Sequence, residues 1–230
     1  IATISLLSGG ISMAQKALNL EDIVAGNIIQ TKGIGSMTWL KDGERYSRLE
    51  NNKQTGGTDI VAYRAKDNSR EVIIPSSLLT DKSTGRPIPV RSVSWSADNE
   101  KVLIYNNTRR VWRYDTRGDY WVLNLKDGAL RQLGKGMPES SMMFAKFSPD
   151  GTRVAYVSNN NIYVEDIDSG KITQLTKDGS DTIVNGTFDW VYEEEFSCRD
   201  GFRWSPDGKH IAYWQSDTKG TGVFDIINNV

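Results

Sequence analysis

Phe147-Ser148-Pro149-Asp150-Gly151 returns almost unchanged as Trp204-Ser205-Pro206-Asp207-Gly208. Two looser copies stand upstream, Trp39-Leu40-Lys41-Asp42-Gly43 and Trp95-Ser96-Ala97-Asp98-Asn99. Each phrase is an aromatic, a polar turn and then a strand. Proline presets the first central position of a turn, and Asp-Gly closes a tight hairpin. The strands that follow read Val102-Leu103-Ile104-Tyr105, Val154-Ala155-Tyr156-Val157 and Ile211-Ala212-Tyr213-Trp214. Further strands follow at Tyr120–Leu123 with Leu130–Leu133, and at Ile162–Val164 with Lys171–Leu175, with hairpins at Asp127-Gly128 and Ser169-Gly170. A period near 50 residues with about four short strands per unit describes propeller blades. A β-sandwich of similar strands is the alternative, but it does not explain a phrase that returns four times. The expected fold is all-β, a partial β-propeller of three to four four-stranded blades. Such an arc leaves an open edge at each end, so the sequence reads as part of a longer chain.

The rest of the composition excludes several classes. Lys and Arg number 28 against 29 Asp and Glu, so the net charge of -1 leaves no footprint for nucleic acid or an acidic membrane surface. A mean hydropathy of -0.48 fits a soluble protein. The only cysteine, Cys198, permits no disulfide within the chain and no zinc-binding spacing. No phosphate loop, dinucleotide fingerprint or other cofactor motif occurs, and Gly33-Ile34-Gly35 reads as a turn. Asn106-Asn107-Thr108 and Asn185-Gly186-Thr187 match the N-glycosylation pattern, which is common by chance.

Residues 1–14 are apolar with small residues and end in Ser12-Met13-Ala14, the pattern of a secretory signal peptide whose start is missing. They are too few to span a bilayer. Residues 15–34 form a lead-in in which Leu18, Leu20, Ile23 and Val24 suit a short helix, and residues 35–230 form the incomplete propeller. A secreted or periplasmic location follows as an expectation.

One segment stands outside the repeat. Asp189-Trp190-Val191-Tyr192-Glu193-Glu194-Glu195-Phe196 sets three glutamates among aromatics. Acidic runs are commonly solvated faces. The flanking aromatics instead imply a segment packed against a core. In a strand Glu194 and Glu195 would point to opposite faces, so convergence on one cation needs a turn or short helix. The cation that fits is a peptide's terminal ammonium. Its pKa of about 8 keeps it largely charged, and its three donors suit two carboxylates.

This segment, with the WSPDG phrase after it, resembles the amino-terminal propeller of the dipeptidyl peptidase IV family of serine exopeptidases. The likeness covers roughly residues 90–230. It implies that Glu194 and Glu195 hold the amino terminus of a peptide substrate. Trp112-Arg113, followed by Tyr120-Trp121-Val122-Leu123, resembles a second family element and implies that Arg113 joins them, although Tyr114 and Asp115 depart from the family's pattern. The resemblance further implies a propeller of about eight blades, a partnering C-terminal α/β-hydrolase domain, removal of dipeptides after proline or alanine, and no cofactor. A homodimer is left open.

No catalytic residue is expected in this chain. It has no G-x-S-x-G elbow, and its one histidine, His210, follows a turn with no serine or carboxylate partner in view. Glu194 and Glu195 are expected on a non-strand excursion between blades, facing the inner cavity, with Arg113 approaching from a neighbouring blade. Two alternatives stay open: a non-catalytic propeller that binds proteins, and a tripeptidyl peptidase whose glutamates measure one residue further.

Overall fold

The computed structural model describes residues 19, 20, 24, 35–111, 113–223, 225 and 227. The expected signal remnant lies outside them, as does most of the lead-in. The chain divides into two compact units, 1–35 and 36–230, and the second holds all eighteen described strands.

Three antiparallel four-stranded sheets follow one another along the chain. Blade one is β1 (Thr38–Trp39), β2 (Arg45–Asn51), β3 (Thr58–Arg64) and β4 (Arg70–Ile74). A short 3-10 turn, Ser76–Leu79, and the hairpin β5 (Thr80–Asp81) and β6 (Arg86–Pro87) lead onward. Blade two is β7 (Ser92–Trp95), β8 (Lys101–Val111), β9 (Tyr114–Asn124) and β10 (Leu130–Gln132). Blade three is β11 (Met143–Phe147), β12 (Arg153–Ser158), β13 (Asn161–Asp166) and β14 (Ile172–Gln174). A fourth unit contains β15 (Ile183–Asn185), the helix α1 (Trp190–Phe196), β16 (Phe202–Trp204), β17 (Ile211–Tyr213) and β18 (Gln215–Asp217).

The repeated phrase is the hairpin between the first and second strands of each blade. In three copies the same side chains close it. Ser148 Oγ donates to Asp150 at 2.5 Å and accepts from the Arg153 N–H at 3.0 Å. Ser96 does the same with Asp98 and Lys101, and Ser205 with Asp207 and His210. The serine hydroxyl, with the Thr152 amide and hydroxyl, holds the carboxyl of Asp150 down to about 2. The tryptophan of the phrase reaches back to the preceding blade. Trp95 Nε1 donates to Ser47 Oγ at 3.1 Å, and Trp204 Nε1 to the Lys146 carbonyl at 3.3 Å.

The cores lie between blades, and period-two alternation builds them. In β8, Val102 and Ile104 pack with Ile60 and Ile74 of blade one and with Leu79 of the 3-10 turn that follows it. Leu103 between them faces the other way, into a cluster with Val154 and Tyr156 of blade three. In β12, Ala155 and Val157 turn from that cluster to join Phe202 of the fourth unit. Sheets two and three are thus packed on both faces. A sandwich has one core between two sheets, so that alternative falls and the chain is a partial β-propeller. Both glycosylation-pattern asparagines, Asn106 and Asn185, are buried in the folded chain.

Candidate functional site

The fourth unit's first strand is broken in two. β15 pairs with β18, and β16 pairs with β17, both antiparallel. Trp214 joins the partner strands. Its N–H donates to the Gly201 carbonyl, and its carbonyl accepts from the Gly186 N–H, each at 2.9 Å. Residues 187–200 therefore loop out of a single strand position between Gly186 and Gly201. Glycine is required at both ends of this stem. A Cβ on Gly201 would lie 2.9 Å from backbone atoms of Gly186 and Thr187. Gly186 has φ of +74°, and a Cβ there would meet Val157 at 2.8 Å. The excursion thus interrupts a blade instead of connecting two, which corrects the expectation from sequence.

At its far end the excursion forms α1. Asp189 caps it, accepting from the Val191 and Tyr192 N–H groups. Ser197, in the left-handed region at φ of +50°, ends it. A second expectation fails here. Trp190, Tyr192 and Phe196 are 61%, 40% and 69% exposed, so they do not bury the acidic segment against a core. Phe188 stacks on Tyr192 with ring centroids 4.6 Å apart, and Trp214 lies against Phe188 at 5.6 Å, on the outside of the unit. The buried residue of α1 is Glu193, 2% exposed, whose Oε2 accepts from Arg199 Nη1 at 2.9 Å.

Successive residues of a helix turn by about 100°. Burying Glu193 therefore leaves Glu194 at the edge of the helix and carries Glu195 to the exposed side. Glu194 Oε1 meets Arg113 Nε at 2.5 Å. Glu195 forms no ion pair among the described residues. Arg113 arrives on the long β8–β9 hairpin, which runs well past the rest of blade two. That arm is braced at its base. Gly118 pairs with Met142, Tyr105 stacks on Tyr120 at 4.7 Å, and the Tyr105 hydroxyl donates to the Asp115 carbonyl at 2.8 Å. Arg113 thus comes from blade two, with blade three between it and the helix, and not from the adjacent blade. All three residues singled out in the sequence lie at one place: Arg113 and Glu194 in contact, Glu195 next in the helix.

The second leg of the stem carries groups that the sequence did not mark. Lys146 of β11 binds both oxygens of Asp200, at 2.5 and 2.7 Å, and the Phe202 carbonyl at 2.9 Å, with its ammonium over the Phe202 ring. Burial outweighs this pairing and pushes the lysine down to about 8. Arg203 Nη1 also reaches Asp200, at 2.9 Å. Lys146 ties the excursion to blade three. Its place in an alternating strand gave no signal, because its partner lies 54 residues on. Cys198 is half-buried and His210 is exposed. Among the described residues no cluster of three or more His, Cys, Asp or Glu is placed to hold a metal ion, and no helix is long and apolar enough to cross a membrane.

The fold and site define a class: a β-propeller whose broken blade presents a helix-borne pair of carboxylates to an arginine from another blade. The family model for the dipeptidyl peptidase IV (DPP IV) N-terminal region matches residues 96–229, more than half of the chain, and the chain belongs to that family. It is 36% identical over 135 residues to a probable dipeptidyl-aminopeptidase B of Chaetomium globosum, covering 58% of this chain and 15% of that protein. It is 28% identical over 220 residues to the Aspergillus terreus protein of the same name, covering 91% of this chain and 24% of that one. The crystal structure of Porphyromonas gingivalis dipeptidyl peptidase 4 superposes with a TM-score of 0.74 at 25% identity, over 88% of this chain and 28% of that one. The chain thus spans about a quarter or less of these curated relatives.

Proposed function

We propose that this chain is the substrate-gating propeller region of a serine dipeptidyl peptidase, and that Glu194 and Glu195 bind the terminal ammonium of the peptide. The observation that carries the reading is the meeting of Arg113 with Glu194, from segments 81 residues apart, beside an exposed second carboxylate. Two carboxylates against one guanidinium leave a net negative charge where an ammonium would sit. The ammonium can approach between the two side chains, over Val191, and donate a charge-assisted hydrogen bond to each. Arg113 offsets part of their mutual repulsion while the site is empty of peptide. It is largely exposed, so its remaining donors are available to a substrate carbonyl.

The intact protein would then cut at a fixed distance from this anchor, using a serine nucleophile from an α/β-hydrolase domain. Dipeptides ending in proline or alanine are the proposed products. Export to the periplasm or beyond belongs to the same proposal and rests on residues 1–14. The test is hydrolysis of a dipeptidyl p-nitroanilide by the intact protein, with its amino terminus free or acetylated. A site built to pair with a charged donor rejects a blocked one by about 10^4 in kcat/KM. Equal rates would contradict the reading. Mass spectrometry of the products from a longer peptide separates dipeptidyl from tripeptidyl release.

A further inference from the structure

Glu193 and Arg199 form an ion pair beneath α1, and only half of it is satisfied. Glu193 Oε2 takes the single contact from Arg199 Nη1. Glu193 Oε1 and Arg199 Nε are buried with no hydrogen-bond partner in the protein. Such a pair holds a helix poorly. Apolar residues of similar volume are commonly as stabilising or more so, whereas a polar contact fixes geometry. The aromatics of α1 face outward, and its other side-chain contacts are exposed ones, Tyr192 stacked on Phe188 and Glu194 against Arg113, so Glu193–Arg199 is the buried contact beneath the helix. Arg199 is well placed to do so. Its carbonyl accepts from the Phe188 N–H and from Thr187 Oγ1, each at 2.9 Å, which ties it to the opposite leg of the stem.

Rotation matters because of lever length. A carboxylate stands about 5 Å from the helix axis, so turning α1 by about 20° moves it by about 2 Å. That is enough to break a hydrogen bond. We propose that Glu193–Arg199 is a positioning pair, which sets the rotation of α1 and with it the placement of Glu194 and Glu195. The inference rests on the amine-binding reading given above. The pair touches no substrate and acts through its neighbours.

The test uses the intact protein and a dipeptidyl p-nitroanilide with a free amino terminus. Replacing both partners, Glu193→Leu with Arg199→Leu, should leave Tm unchanged or raised. KM should rise about 10- to 100-fold, the loss of one hydrogen bond to a charged group, with kcat changed far less. Glu193→Gln keeps an acceptor for Arg199 and should give a smaller rise in KM. If the double variant does not fold, Arg199→Lys serves in its place. It keeps the charge but not the planar fork, and KM should rise several-fold at nearly unchanged kcat. A folded double variant, or Arg199→Lys, with KM unchanged would overturn the positioning role alone, provided the unaltered protein still rejects acetylated substrate. Free and acetylated substrates cleaved alike by the unaltered protein would sink the amine-binding reading, and this proposal with it.

Discussion

Glu194→Gln should separate stability from substrate binding. The carboxylate meets Arg113 at 2.5 Å, but the arginine side chain is 66% exposed against 20% for Glu194. Water already solvates that guanidinium. An ion pair so open contributes about 0.2–1 kcal/mol. For a chain of this size that is a fall in Tm of about 4 °C or less. On the proposed reading the peptide ammonium is different, because a bound substrate would exclude water from it. Losing one partner of a desolvated charge pair costs about 2–5 kcal/mol, which is about 30-fold to several thousand-fold in kcat/KM. The glutamine also turns an N–H2 donor toward a group that only donates. Glu195→Gln should behave alike in kinetics and leave Tm unchanged, since Glu195 has no ion pair among the described residues. The assay is kcat/KM on a dipeptidyl p-nitroanilide together with Tm for the same preparation of intact protein. Activity within about threefold of the unaltered protein, or activity lost only in proportion to unfolding, would refute the reasoning.

Gly201→Ala should cost about 1–3 kcal/mol, the usual penalty of overpacking. Its Cβ would press on the backbone of Gly186 and Thr187 at 2.9 Å. Gly222→Ala, with open space around it, is the control, and equal urea midpoints for the two variants would count against the pinched stem. The Lys146 ammonium should titrate at about 8, against an ordinary 10.5, when followed by the NMR shift of its Cε. The folded value is the lower one, so the unfolded chain binds this proton more tightly. Through this group alone, stability rises with pH between about 8 and 10.5, and a midpoint near 10.5 would show the lysine to be solvated. Ser148→Ala should destabilise by about 1–2 kcal/mol, because the buried hydroxyl bridges Asp150 and the Arg153 N–H. It should also raise the Asp150 carboxyl from about 2, and an unmoved carboxyl would show that the turn is not held by the serine.

The blades were legible because their chemistry is local. A serine and an aspartate two residues on close three of the four hairpins, with glycine or Asn99 at the next position, and alternation such as Val102-Leu103-Ile104 marks a strand packed on both faces. The acidic segment was legible as a non-strand element for the same reason, since adjacent glutamates cannot share a face in a strand. What could not be read was set by distant partners. The break in the fourth unit's first strand shows only in the pairing of Gly186 and Gly201 with Trp214. The two glycines were the available signal, and they look like ordinary turn residues. The aromatics of α1 suggested burial, yet the single charged residue Glu193 is the buried one, because Arg199 waits six positions on. Arg113 reaches the helix across an intervening blade because β8 and β9 run to Val111 and from Tyr114, a length that hydrophobic patterning ends near Tyr105.

A crystal structure of the intact protein with a bound peptide decides whether α1 holds that peptide by its terminal ammonium. The terminal nitrogen should lie within about 2.7–2.9 Å of a carboxylate oxygen of both Glu194 and Glu195, with Arg113 still against Glu194. A peptide whose amino terminus lies in open solvent, or is held by other groups while Glu195 points away, would contradict it.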